Sequence, residues 1–142
     1  HHLYLHSFPT RRSSDLTLGE VLLEPTRIYV KSVLNVLDQV QVSGIAHITG
    51  GGFYENMPRC IQSHQGLRIK KGSWEVPSIF NYLSVLGNID EDEMYHVFNM
   101  GIGMILIVRP EDVNLSLEIL KESGEKASVI GEVTNSGNIQ WD

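Results

Sequence analysis

A layered α+β domain, with one sheet covered by helices, is what this sequence predicts, and three observations predict it. Strand-like and helix-like apolar spacings alternate along the chain. Met104–Val108 is almost wholly apolar, as a strand buried on both faces requires. Several helical stripes carry start and stop signals, such as Pro77 before one and Gly124 after another. Together they give about four or five strands interleaved with about four helices, an order that suits a helix-covered sheet better than a bundle or a sandwich.

The elements follow in order. Residues 1–16 are set apart, because there is no initiator methionine and the stretch from Phe8 to Leu16 matches the in-frame translation of a common sequencing adapter. They are expected to be a non-native leader outside the fold, with one domain over residues 17–142. Arg11 and Arg12 are accordingly not read as a nucleic-acid patch. Val33, Leu34, Leu37 and Val40 then fall at helical spacing after the β-branched run Ile28-Tyr29-Val30, predicting a helix over about 31–39 that Thr26 is placed to cap. Ile45–Thr49 reads as a buried strand that runs into Gly50, Gly51 and Gly52. Phe53–Ile61 reads as a short helix, with Pro58 in its first turn or bending it. Gly66–Lys71 alternates Leu67 and Ile69 with polar neighbours, as a half-exposed strand does.

The next helix starts at Pro77, carries Ile79, Phe80, Leu83 and Leu86 on one stripe, and stops before Gly87. Asp90 and Glu93 have capping-box spacing for a short helix through Met94, Tyr95 and Phe98. The acidic run from Asp90 to Glu93 is therefore read as cap and dipole chemistry, and no metal ligand is assigned. After the strand at Met104–Val108, a helix over Pro110–Ser123 presents Val113, Leu117 and Leu120 on one face, and Val129–Thr134 supplies a further strand.

Composition narrows the function classes. With 11 Lys and Arg against 17 Asp and Glu, the net charge of −6 argues against sequence-independent binding to nucleic acid or to an anionic membrane. A single cysteine, Cys60, excludes an intrachain disulfide and a thiolate metal cluster and fits a reducing cytoplasm; it is read as buried filler rather than a catalytic thiol. No stretch is apolar and long enough to span a bilayer as a helix.

Candidate chemistry concentrates at Ile45-Ala46-His47-Ile48-Thr49-Gly50-Gly51-Gly52-Phe53. Three residues without Cβ let peptide N–H groups converge on an anion and let a ligand approach the main chain; the same cluster also serves as a plain tight connection. His47 and Thr49 alternate along one strand and share a face at the mouth of that loop. His47 is the candidate proton donor or acceptor, against the alternative of a hydrogen-bonded structural histidine. Asn56 is a candidate contact to ribose hydroxyls. Asn99, Gly101 and Gly103 form a second candidate ligand site, with close packing as the competing reading. Arg27 can pair with a carboxylate or a phosphate.

Three further blocks stand in order around the glycines: Leu22-Leu23-Glu24-Pro25-Thr26-Arg27-Ile28-Tyr29-Val30-Lys31 before them, then Met94-Tyr95-His96-Val97-Phe98-Asn99-Met100-Gly101-Ile102-Gly103-Met104, and Ile130-Gly131-Glu132-Val133. On these blocks the chain, from about Thr17 to about Gly137, closely resembles the C-terminal domain of the phosphoribosylformylglycinamidine cyclo-ligase (aminoimidazole ribonucleotide synthetase) family. The resemblance implies an α/β/α layering with a mixed sheet of partly ferredoxin-like topology. It also implies an enzyme of purine biosynthesis that uses ATP to activate an amide oxygen of formylglycinamidine ribonucleotide and then closes the imidazole ring. His47 would act in catalysis. Arg27, Thr49, Gly50, Gly51, Gly52, Asn56, Asn99, Gly101 and Gly103 would bind substrate. The family implies a homodimer, with ATP and Mg held mostly by an N-terminal domain that this chain does not include, so that the chain alone is expected to be inactive. Other two-domain ATP-binding enzymes, such as formylglycinamidine ribonucleotide synthetase, and a non-catalytic binding module are the alternatives.

Overall fold

The computed structural model describes residues 2–7, by backbone, and residues 17–142. Strand β4 (Ile102–Val108) organises it, because its side chains alternate between two apolar cores. Ile105 and Ile107 point into one core, with Ala46, Ile48, Phe53, Met57, Leu67, Ile69, Met94 and Tyr95; Leu106 and Val108 point into the other, with Val36, Val40, Ile119 and Leu120. A strand buried on both faces needs helices on both sides, and the chain supplies them.

Helices α1 (Leu18–Leu22), α2 (Val30–Leu37) and α6 (Val113–Glu122), and helices α3 (Gly52–Asn56), α4 (Ser78–Gly87) and α5 (Glu91–Val97), are the helical elements. Helices α2 and α6 cover the face of Leu106 and Val108, while α3 and α5 cover the face of Ile105 and Ile107. The sheet between them has six strands: β1 (His2–Ser7), β2 (Gly44–His47), β3 (Gly66–Ile69), β4, β5 (Ala127–Thr134) and β6 (Ile139–Trp141). Their spatial order is β2-β4-β1-β5-β3-β6. All neighbours are antiparallel except the β3–β6 pair, so the sheet is mixed and the layering is α/β/α, as expected.

Several expectations are corrected here. Residues 1–16 do not all stand outside the fold, since His2–Ser7 form β1 between β4 and β5; residue 1 and residues 8–16 lie outside the described residues. An extended segment rich in Leu and Tyr between two open strand edges completes both hydrogen-bond ladders at once. Thr26 does not cap α2, whose N-cap position is Tyr29 with no side-chain bond. Gly87 is the last residue of α4, and the left-handed cap position falls on Asn88 at φ 48°, asparagine being the other residue that tolerates that region. Asp90 does cap α5, accepting from the Glu93 N–H at 2.9 Å. Pro58 opens a 3₁₀ turn over Met57–Cys60 that follows α3, in the first-turn position where its missing N–H costs nothing.

Candidate functional site

Strand β2 is an edge strand, and the backbone keeps its ladder with β4 one residue past His47, the Ile48 N–H donating to Gly103 O at 2.8 Å. Alternation along that segment buries Ala46 and Ile48 and leaves His47 and Thr49 exposed. They open onto a cleft of about 330 Å³. Its lining brings Thr26, Arg27 and Tyr29 together with His47, Thr49 and Gly50, the apolar side chains of Phe80, Val97 and Phe98, and Asn99 and Gly103. Five of the sequence-derived candidates besides His47 therefore meet in one place: Arg27, Thr49, Gly50, Asn99 and Gly103. Gly51, Gly52, Asn56 and Gly101 are not on its walls.

The glycines do different work. Gly51 and Gly52 take left-handed φ values of 88° and 54°. At Gly52 a Cβ would strike the Tyr95 carbonyl oxygen, so this glycine lets α3 dock on α5. Its N–H donates to Thr49 O at 3.0 Å, closing a turn. Gly50 is the opposite case, for nothing lies within 4 Å of its Cβ position and it borders the cleft. Among the described residues, no protein acceptor meets the N–H of Gly50 or Gly51. Asn56 is 4% exposed and spends its side chain on the loop's own carbonyls and on Arg59, so it is a brace and makes no wall contact.

The second glycine pair is also resolved by its neighbours. Gly101, at φ 90°, packs on Pro77, and a Cβ on Gly103 would overlap the Tyr29 hydroxyl, so both serve close packing. Asn99 Oδ1 accepts the Gly101 N–H at 3.0 Å and fixes that turn beside the cleft. The Tyr29 ring meets His47 edge-on with centroids 5.9 Å apart. Burial raises the Tyr29 pKa above the usual phenol value, Arg27 opposes the rise and Glu125 adds to it, so the group stays a neutral phenol.

Arg27 reaches the cleft wall but is also tied behind it. Its Nη2 lies 2.7 Å from Glu125 Oε2 and donates to Gly124 O at 3.2 Å, while Ser32 Oγ donates to Glu125 Oε1. Nothing in the sequence signals that pairing, because Glu125 sits just past the α6 cap, far along the chain. Of the apolar lining, Phe80 and Phe98 read in the sequence only as helix positions, and Val97 carries no signal of its own. Cys60 is half-buried with its thiol directed at Met57 O, 3.1 Å away, and burial pushes its pKa up to about 11. It stays protonated at neutral pH and is no nucleophile. Among the described residues no His, Cys, Asp and Glu group in threes as metal ligands, and the cleft walls carry no carboxylate. Nor is any described helix long and apolar enough to cross a membrane.

Comparison with known proteins places these features in context. The family described as "AIR synthase related protein, C-terminal domain" matches residues 3–142. Phosphoribosylformylglycinamidine cyclo-ligase from Caldicellulosiruptor bescii is 57% identical over 118 residues, 83% of this chain and 35% of that protein. The enzyme of the same name from Caldanaerobacter subterraneus subsp. tengcongensis is 59% identical over 117 residues, 82% of this chain and 34% of that protein. The chain thus spans about a third of the length of the relatives it matches. Among solved structures, E. coli HypE, a hydrogenase maturation protein, superposes with a TM-score of 0.67 at 19% identity, covering 99% of this chain and 45% of HypE. The HypE–HypF complex gives 0.65 at 21% identity, with 99% and 48% covered. These two likenesses speak to fold alone.

Proposed function

We propose that this chain, which belongs to the AIR synthase related protein family as a C-terminal domain, is the ribonucleotide-binding part of a phosphoribosylformylglycinamidine cyclo-ligase of purine biosynthesis. The observation that carries the reading is the meeting of an exposed His47 with the open amides of the Gly50 loop at one cleft, in a chain more than half identical to enzymes of that name. The phosphate of formylglycinamidine ribonucleotide sits at the loop, where N–H groups without acceptors and the nearby Arg27 offset the chain's overall negative charge. Thr49 and Asn99 contact the sugar or the amide, and the apolar wall of Phe80 and Phe98 excludes water.

ATP supplies the phosphoryl group that turns the amide oxygen into a leaving group. Ring closure then requires a nitrogen of the amidine to attack the activated carbon while losing a proton. His47, exposed at the cleft and confined on one side by Tyr29, takes that proton. With no carboxylate on the cleft walls, these residues do not form a magnesium site, so ATP and its metal are assigned mostly to an N-terminal domain of the kind the longer relatives contain, in a homodimeric cytoplasmic enzyme. The HypE likeness favours no hydrogenase-maturation role, because at that identity it reports only the shared fold.

Calorimetry with formylglycinamidine ribonucleotide tests the binding half. The 142-residue chain should give heat of binding, and Gly50→Ala should weaken it about tenfold by placing a methyl where the ligand meets the main chain. Melting should not change, since that methyl touches nothing. Absence of heat from the unmodified chain would end this reading.

A further inference from the structure

The glycine loop is held from behind by one buried amide. Asn56 Nδ2 donates to Gly52 O at 2.7 Å and to Gly50 O at 3.3 Å, and it reaches Thr49 O at 3.5 Å. Its Oδ1 accepts from Arg59 Nη1 at 3.2 Å. A guanidinium only donates, so Arg59 decides which end of the Asn56 amide faces the loop. Arg59 in turn lies 3.7 Å from the Glu55 carboxylate.

Peptide planarity converts that brace into a direction. In a trans peptide the C=O of one residue and the N–H of the next point to opposite sides. Drawing the carbonyls of Thr49 and Gly50 onto Asn56 therefore aims the N–H groups of Gly50 and Gly51 away from the interior. Those are the two amides that meet no acceptor among the described residues, and Gly50 borders the cleft. Gly52 N–H also holds Thr49 O at 3.0 Å, so the Thr49–Gly50 peptide is fixed twice. The Gly50–Gly51 peptide, flanked by glycine on both sides and held among the described residues by Asn56 on Gly50 O, is the one free to turn over without the brace.

We propose that Asn56 is a positioning residue: it sets the outward direction of the Gly50 and Gly51 amides that receive the ribonucleotide phosphate, and Arg59 sets the direction of Asn56. The phosphate rests on the function proposed above; the direction of the amides does not.

Asn56→Asp separates the two. The variant keeps the side-chain shape but turns an acceptor toward three carbonyls, which favours reversal of the Gly50–Gly51 peptide, whose Gly50 carbonyl has Asn56 as its donor. In ¹⁵N–¹H spectra of the full chain, the Gly50 and Gly51 amide signals should move and exchange more slowly with water, and signals of β3 and β5 should not move. Unmoved glycine signals would overturn the proposal whether or not any ligand binds. With formylglycinamidine ribonucleotide as probe, Asn56→Asp at about pH 8 should bind about tenfold more weakly than the parent chain. The deficit should shrink as the pH is lowered from about 8 through about 5, because burial against carbonyl oxygens raises an Asp above its usual value of about 3.9 and the protonated form regains a donor, each pH being compared with the parent at the same pH. A deficit that ignores pH would mean a merely structural loss and would also overturn it. If Asn56→Asp does not fold, Arg59→Ala, which removes the anchor from an exposed position, should produce the same amide shifts in weaker form. If the parent chain binds nothing, the functional reading falls while the amide signals still decide the inference.

Discussion

At the scale of single residues, the sequence marks chemistry without marking its partner. Arg27 was legible as a group able to meet a carboxylate or a phosphate, and it borders the cleft. Its nearest anion is nevertheless Glu125, whose side chain is only 3% exposed. Removing the arginine takes away the cation 2.7 Å from that buried carboxylate, whose other oxygen accepts from Ser32 Oγ. Arg27→Ala should therefore cost about 3 kcal/mol of folding stability, far beyond a surface pair. The double variant Arg27→Ala with Glu125→Gln should recover a large part of it, because the buried negative charge is removed along with its cation; urea unfolding of both variants measures the difference. Equal stability of parent and Arg27→Ala would show that solvent already screens the pair. The glycines make the same point about legibility. Their freedom from a Cβ is visible in the sequence, but whether the space stays open, as at Gly50, or is filled by Tyr95 or Tyr29, as at Gly52 and Gly103, depends on residues more than 40 positions away.

Among the elements, those with periodic apolar faces and local end signals were readable, and those built from backbone pairing were not. Helices α2, α4, α5 and α6 and strands β2, β3, β4 and β5 all fall within a few residues of their sequence-derived places. Strand β6 was missed because three residues, Ile139–Trp141, carry too little pattern and owe their extended form to β3 and to the exchange of bonds between Lys71, Asp142 and Ile69. Helix α1 was missed although its capping box at Thr17 and Glu20 was present, since it buries no side chain. The cap on α5 has a measurable consequence. Asp90 accepts the Glu93 N–H, and Glu91, Asp92 and Glu93 add charge where the helix dipole is positive. Asp90→Ala should lower stability by about 1 kcal/mol. Asp90→Asn, which keeps the acceptor and removes the charge, should lose less than half of that. A thermal melt in which both variants fall equally would assign the effect to charge and not to the cap.

Across the whole molecule, the sheet is continuous only through β1. Strands β4 and β5 do not pair with each other; each pairs with β1, with His2 opposite Val108 on one side and Glu132 on the other. Without residues 2–7 the sheet would separate into β2–β4 and β5–β3–β6, each with a bare edge of N–H and C=O groups beside a core that spans both. Sequence reasoning excluded this segment on its missing initiator methionine and apparent origin, and neither bears on strand pairing. A ladder asks only for a short extended stretch of the right length, and the register is dictated by the strands already in place. The apolar core favours keeping both halves together, since Ile130 of β5 and Ile105 of β4 lie in the same cluster, yet burial without satisfied main-chain groups costs more than it returns. A variant starting at Thr17 should therefore lose its cooperative thermal transition or elute as aggregates, while the full chain melts in one step and elutes as a discrete species. Circular dichroism and size-exclusion chromatography of the two read this directly. An unchanged melting temperature in the shortened chain would mean that β4 and β5 close the gap themselves, and the strand order would then have to be β2-β4-β5-β3-β6.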